Sequence, residues 1–232
     1  MLRRFSDPWI RPVGSIVGAV TVDPVVALTF DDGPDPDATP RVLDVLARHG
    51  ARATFFVLLD RAEANPQIIR RMIAEGHSVG LHGVDHRRLT RMSVRNARAH
   101  IRRGVERFVA AVGVAPKWFR PPYGSQSLAT FIATRACGME IIAWSADCAD
   151  WTDRPEADIA AQAVGSAKAG GILLLHDTLA ADPEETVPAV SLDRAVLTDL
   201  ILRGLKERGL AGVSVEGLLS GRRAHRTAWF RP

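Results

Sequence analysis

Short runs of β-branched and aromatic residues alternate along the chain with longer segments whose apolar positions recur every three or four residues, and turn formers separate them. Residues 25–30 (VVALTF) read as a buried strand. Residues 39–49 read as a helix with Val42, Leu43, Val45 and Leu46 on its inner face and Gly50 as its stop. Residues 53–58 form the next strand. Asn65 is expected to cap a helix that opens at Pro66 and ends before Gly76, and residues 78–81 make a short strand. Ser93 opens a long helix to Val112 that turns Val94, Ala97, Ile101, Val105 and Phe108 to one side. Further strands are predicted at 118–120, 140–144, 172–175 and 212–215. Helices fall between them at 126–137, 155–169 and 192–208, each closed by glycine.

About seven strand–helix units with no linker among them predict a single α/β domain with a parallel sheet. Closure into a barrel fits the unit count better than an open sheet, although periodicity alone does not decide between them. Residues 1–24 form a lead-in, 25–220 the domain, and 221–232 a basic and aromatic tail.

Composition narrows the picture. At 232 residues, 47% hydrophobic and 24% charged, the chain is ordinary for a globular protein, which excludes a disordered, collagen-like or disulfide-scaffold class. Cys137 and Cys148 read as unpaired structural thiols. No run approaches the ~18 apolar residues of a membrane-spanning helix. The first residues carry two arginines, but Asp7, Pro8, Arg11 and Pro12 break the apolar stretch a signal peptide needs. The expectation is a cytoplasmic protein, peripheral to the membrane.

Polar residues that directly follow strands of a parallel β/α fold project at its carboxyl rim, where sites form. Here those positions hold Asp31 and Asp32, His82 and His86, Arg120 to Tyr123, Asp147 and Asp150, and His176 and Asp177. Acids, histidines and an arginine dominate five strand ends, and such a set is expected to converge on one site. His82 and His86 fall on one face if their segment makes a helical turn, and two imidazoles with one carboxylate suit a catalytic divalent metal. Two acids at a buried strand end repel, and a cation removes that cost by binding one of them. Each residue alone has a plainer reading: Arg120 as a surface arginine beside a Pro-Pro turn, Trp151 and Leu174 as core, His176 as a satisfied rim histidine. His77 and His49 read as structural, His100 as solvent-exposed, and Asp147 as a loop cap.

Together the residues carry a resemblance. Residues 29–34 (TFDDGP), His82 and His86 after 76–80 (GHSVG), 120–124 (RPPYG), 147–151 (DCADW) and 174–177 (LLHD) resemble, in order, five motifs of the polysaccharide deacetylase family, carbohydrate esterase family 4 or NodB homology domain. The resemblance implies an irregular (β/α) barrel and a metal-dependent hydrolase removing N-acetyl, or O-acetyl, groups from an amino-sugar glycan. It places a divalent ion, zinc or in some members cobalt, on Asp32, His82 and His86. It makes Asp31 the base toward a water whose pKa the metal brings to roughly 7, held by Arg120. His176 becomes the acid, tuned by Asp150. The Tyr123 N–H would meet the oxyanion, with Trp151 and Leu174 walling the acetyl pocket. Two departures stand out. Gly83 replaces the family's Ser or Thr and predicts a softer metal loop of lower affinity, and Leu81 replaces Asn and predicts altered substrate contacts. A hydrolase of a small amide or cyclic imide, and an inactive glycan- or membrane-binding homologue, remain as alternatives.

One feature stands apart from the family. The net charge is +4, and Arg91, Arg95, Arg98 and Arg102 lie along one stripe of the long helix, with Arg88 leading in. A solvated outer face explains such a stripe, and so does contact with an anionic membrane or a lipid-linked glycan, which the aromatic tail would suit. Nucleic acid fits the charge, but no recognised binding motif accompanies it.

Overall fold

The computed structural model describes residues 13–186 and 189–231. The segment 1–12, on which the signal-peptide and localisation readings rest, lies outside the described residues. The chain runs through β1 (Ser15–Val20), β2 (Val25–Asp31), α1 (Ala38–Arg48), β3 (Ala53–Leu58), α2 (Leu59–Ala64), α3 (Pro66–Ala74), β4 (Ser78–Gly83), α4 (Val94–Val112) and β5 (Trp118–Phe119). It continues through α5 (Leu128–Ala136), β6 (Glu140–Ile141), β7 (Ala146–Asp147), α6 (Glu156–Ser166), β8 (Ile172–His176), α7 (Arg194–Glu207), β9 (Ala211–Val213), α8 (Val215–Leu219) and β10 (Arg223–Thr227).

Parallel strands run in the order β6-β5-β4-β3-β2-β8-β7, and β9 pairs with the first residues of β2. The strand expected at 140–144 is shortened to β6, and a second short strand, β7, follows it at 146–147. β6 pairs with β5, and directly after Ser145, whose N–H donates to the Ile172 carbonyl, the chain becomes β7, paired with β8. One segment therefore bridges both ends of the sheet and closes a distorted (β/α) barrel, as the unit count suggested. β1 seats against that seam through Ile16 on Ile142 and Gly18 on Gly171, and pairs antiparallel with β10. The lead-in and the tail thus form one ribbon at the barrel wall.

Strand parity sorts the side chains. Val26, Leu28 and Phe30 of β2, with Phe55, Val57, Leu81, Leu173 and Leu175, join the apolar faces of the helices in the main core. The alternate set, Ala27, Phe56, Trp118, Ile142 and Ile172, fills the barrel interior with Val215 and Leu218 of α8 beneath. Thr29, Asp31, Arg120 and His176 share that inward parity, so the same alternation that builds the core delivers polar groups to the rim.

Local details differ from expectation at several places. Asn65 does not cap α3 with its side chain, which donates instead to the Arg61 carbonyl at 3.0 Å and ties α2 to α3. His100 is half-buried, its ring turned toward Asp85, and burial lowers its pKa. Trp229 of the tail is buried against Ala143 and Trp144 and donates to the Gly124 carbonyl at 3.0 Å, so it does not serve a membrane interface. No described helix is long and apolar enough to cross a membrane.

Candidate metal and active site

β2 delivers Asp31 to the rim, and Asp32 follows at φ 76, a left-handed turn that swings its carboxylate toward β4. The Asp32 Oδ1 lies 3.3 Å from His82 Nε2 and 3.2 Å from His86 Nε2. All three side chains are buried, and their ligand atoms lie within 4.8 Å of one another. Oδ2 is held by the Ala180 N–H at 2.8 Å, while Oδ1 accepts no hydrogen bond among the described residues. An orphaned carboxylate oxygen facing two imidazole nitrogens in a dry site is what a divalent ion would satisfy.

The histidines arrive by a route other than a helical turn. Val57 pairs with Leu81 and Leu58 with Gly83, so His82 is the extra residue of a β-bulge, and the chain then bends to bring His86 back. His82 Nδ1 donates to the Arg120 carbonyl at 2.8 Å, which leaves the Nε2 lone pair aimed at Asp32. Burial lowers the His86 pKa to about 4, against the pull of Asp32, and keeps the ring in its neutral, ligating form. The Tyr123 ring rests on His86 at 4.2 Å between centroids. Gly83 has φ +137, and a Cβ there would sit 2.8 Å from the Asp85 carbonyl oxygen. The loop is shaped around glycine rather than loosened by it. Leu81 points outward into the core against Gly104 of α4 and does not line the cleft.

Arg120 is wholly buried and satisfied. Its Nη1 donates to Asp31 Oδ1 and to Thr29 Oγ1, each at 2.8 Å, while Nε and Nη2 reach the Ile142 and Ala143 carbonyls at 3.2 Å. The guanidinium lies 4.3 Å above the Phe56 ring, which closes the dry side of the pair. Asp31 keeps Oδ2 facing the metal cluster, 3.9 Å from His82 Nε2.

Asp31 and His176 are register partners on β2 and β8. His176 Nδ1 lies 2.7 Å from Asp150 Oδ1, and the His176 N–H donates to Asp150 Oδ2 at 2.8 Å. Burial works against the imidazolium, but Asp150, helped by Asp32 and Asp31, outweighs it and pushes the His176 pKa up to about 9. Sequence reasoning missed Arg194, at the start of α7. Its Nη1 donates to both Oδ2 and the backbone carbonyl of Asp150, at 3.0 and 2.9 Å. Thr29, which fixes Arg120 while donating to the Leu173 carbonyl at 2.6 Å, was also unread.

These groups open into a cleft of about 500 Å³ whose walls include Tyr123, Trp144, Asp147, Trp151 and Leu174. Asp147 stands on the cleft wall rather than capping a loop. Trp151 is exposed and meets the His176 ring edge-on at 5.8 Å. His77 is structural: it accepts from the Ala53 N–H and packs against Phe55.

Comparison with known proteins agrees with this geometry. The sequence pattern of the polysaccharide deacetylase family matches residues 19–142. A peptidoglycan-N-acetylglucosamine deacetylase of Bacillus cereus is 35% identical over 213 residues, covering 90% of this chain and 95% of its own. A chitooligosaccharide deacetylase of Sinorhizobium fredii is 37% identical over 191 residues, covering 80% and 87%. A peptidoglycan-N-acetylglucosamine deacetylase of Listeria monocytogenes is 36% identical over 193 residues; this covers 83% of the chain, which spans only 38% of that relative's length. Among solved structures, the Bc1960 peptidoglycan N-acetylglucosamine deacetylase superposes with a TM-score of 0.77 at 32% identity, covering 88% of this chain and 92% of that one. The chain belongs to the polysaccharide deacetylase family.

Proposed function

We propose that this protein hydrolyses the acetamide of an N-acetylated amino-sugar glycan, releasing acetate. The convergence of Asp32, His82 and His86 with a buried Asp31–Arg120 pair and a charged His176 carries the reading, and the activities for which the Bacillus cereus and Sinorhizobium fredii relatives are named support it. Asp32 Oδ1 and the two Nε2 atoms would hold the ion, and a set of two imidazoles and one carboxylate favours zinc. When bound, the ion supplies Lewis acidity toward water and the amide carbonyl.

The chain's own groups do the rest. Asp31 takes the proton of the water that adds to the acetyl carbon, and Arg120 holds that carboxylate in place. The Tyr123 N–H donates to the carbonyl oxygen as negative charge builds on it. Trp151 and Leu174 wall the space for the acetyl methyl. His176 gives its proton to the sugar nitrogen as the carbon–nitrogen bond breaks, and Asp150 stabilises the charged ring until then.

A finer proposal concerns location. Arg95, Arg98 and Arg102 are exposed on α4 with no ion pair among the described residues, whereas Arg91 is paired with Glu185 at 2.7 Å. The three free arginines would hold the protein to an anionic surface. Salt-sensitive co-sedimentation with anionic vesicles supports this, and absence of binding at low salt overturns it.

The test of the activity is acetate release from N-acetylglucosamine oligomers, with and without a chelator. Release that stops on chelation and returns with zinc is expected. Release indifferent to the chelator, or hydrolysis confined to small amides, overturns the reading.

A further inference from the structure

Two arginines of the cleft take no part in the chemistry above. Arg88 lies flat on the Tyr123 ring, its guanidinium carbon 3.7 Å from the centroid. Its Nε is buried with no hydrogen-bond partner, and no carboxylate among the described residues lies within ion-pairing distance of it. Arg231 reaches the same cleft from the tail. Its backbone pairs with Gln126, and its guanidinium stacks on Trp229, whose indole is tied to Gly124. Both flank the Tyr123–Gly124 turn.

The other charges in the cleft are already answered. Asp31 is paired with Arg120 and Glu185 with Arg91, and Asp32 would face the ion. Asp147 is the remaining carboxylate of the lining, and it stands beside Leu174, its register partner on β8, on the wall built by β7 and β8. On the Tyr123 side Asp182 is the nearby acid, and its Oδ2 is taken by the Arg88 backbone N–H at 3.2 Å, while the guanidinium groups of Arg88 and Arg231 rest on rings. A planar fork on a rigid aromatic support is suited to bidentate capture of a carboxylate, with little side-chain entropy left to lose.

We propose that Arg88, assisted by Arg231, forms an anion subsite for a carboxylate carried by a sugar next to the one deacetylated, so that the protein prefers acidic glycans to neutral ones. The proposal rests on the deacetylase reading. Three probes of equal length test it: an N-acetylglucosamine oligomer, a peptidoglycan glycan strand bearing its lactyl carboxylates, and that strand with the carboxylates methyl-esterified. KM and kcat for acetate release are measured for the wild type, Arg88→Gln and Arg88→Lys.

The expected result is a KM for the acid strand about ten- to a hundredfold below that for its ester, narrowing with salt. Arg88→Gln should bring the acid-to-ester ratio to about one, and Arg88→Lys should restore part of it. An equal ratio in wild type and Arg88→Gln overturns the subsite while leaving the activity standing. Absence of acetate from all three probes overturns the deacetylase reading itself, and the subsite with it.

Discussion

Arg120 Nη1 sits 2.8 Å from Asp31 Oδ1 with both side chains sealed inside the barrel mouth. A buried carboxylate deprived of its guanidinium is left as an unpaired charge, and breaking such a pair costs about 3–5 kcal/mol. Arg120→Leu should therefore lose that much stability in urea titrations. Arg120→Lys keeps the charge, but one ammonium cannot serve Asp31, Thr29 and two carbonyls together, and acetate release should fall about a hundredfold through misplacement of Asp31. Unchanged stability in Arg120→Leu would contradict the buried-pair account.

The Asp150–His176 pair makes a statement about pH. The folded pKa of His176, about 9, stands above its ordinary value of 6.5, so the folded state binds the extra proton. Its contribution to stability is complete below about 6.5 and disappears as pH rises through about 9. Activity that needs the imidazolium should fall across the same alkaline limb. Asp150→Asn should draw that limb down toward about 6.5. A pH–rate profile whose alkaline limb is identical in wild type and Asp150→Asn would contradict the assignment of the acid.

Gly83 tests whether the family's usual residue would be an improvement. At φ +137, with a backbone oxygen 2.8 Å from the Cβ position, Gly83→Ser should lower stability by about 1–3 kcal/mol and weaken metal retention. Thermal melting with and without zinc reads both. A variant that binds zinc more tightly and melts higher would show that the loop rearranges around a side chain.

Much of this was visible in the sequence, for physical reasons. β2, β3 and β8 are buried on both faces, so they read as continuous apolar runs, and the chemistry sits directly behind them at Asp31–Asp32 and His176. What was hidden depended on distant partners. Ser15–Val20 is a strand because Arg223–Thr227 pairs with it, and that stretch has no apolar alternation to announce it. Residues 140–147 divide into β6 and β7 because they hydrogen-bond to two different neighbours, which no local pattern records. Arg194 reads as one more helical arginine, and only folding brings it to Asp150, 44 residues away. The bulge at His82 was equally silent, since register belongs to two strands and not to one.

The account stands or falls on Asp31 as a base separate from the metal triad. The direct measurement is metal content and acetate release, on the same sample, for the wild type and Asp31→Asn with an N-acetylated oligosaccharide. The prediction is one zinc per chain in both and a loss of at least about a hundredfold in turnover for the variant. Full turnover in Asp31→Asn, or zinc lost together with the carboxylate, would contradict it.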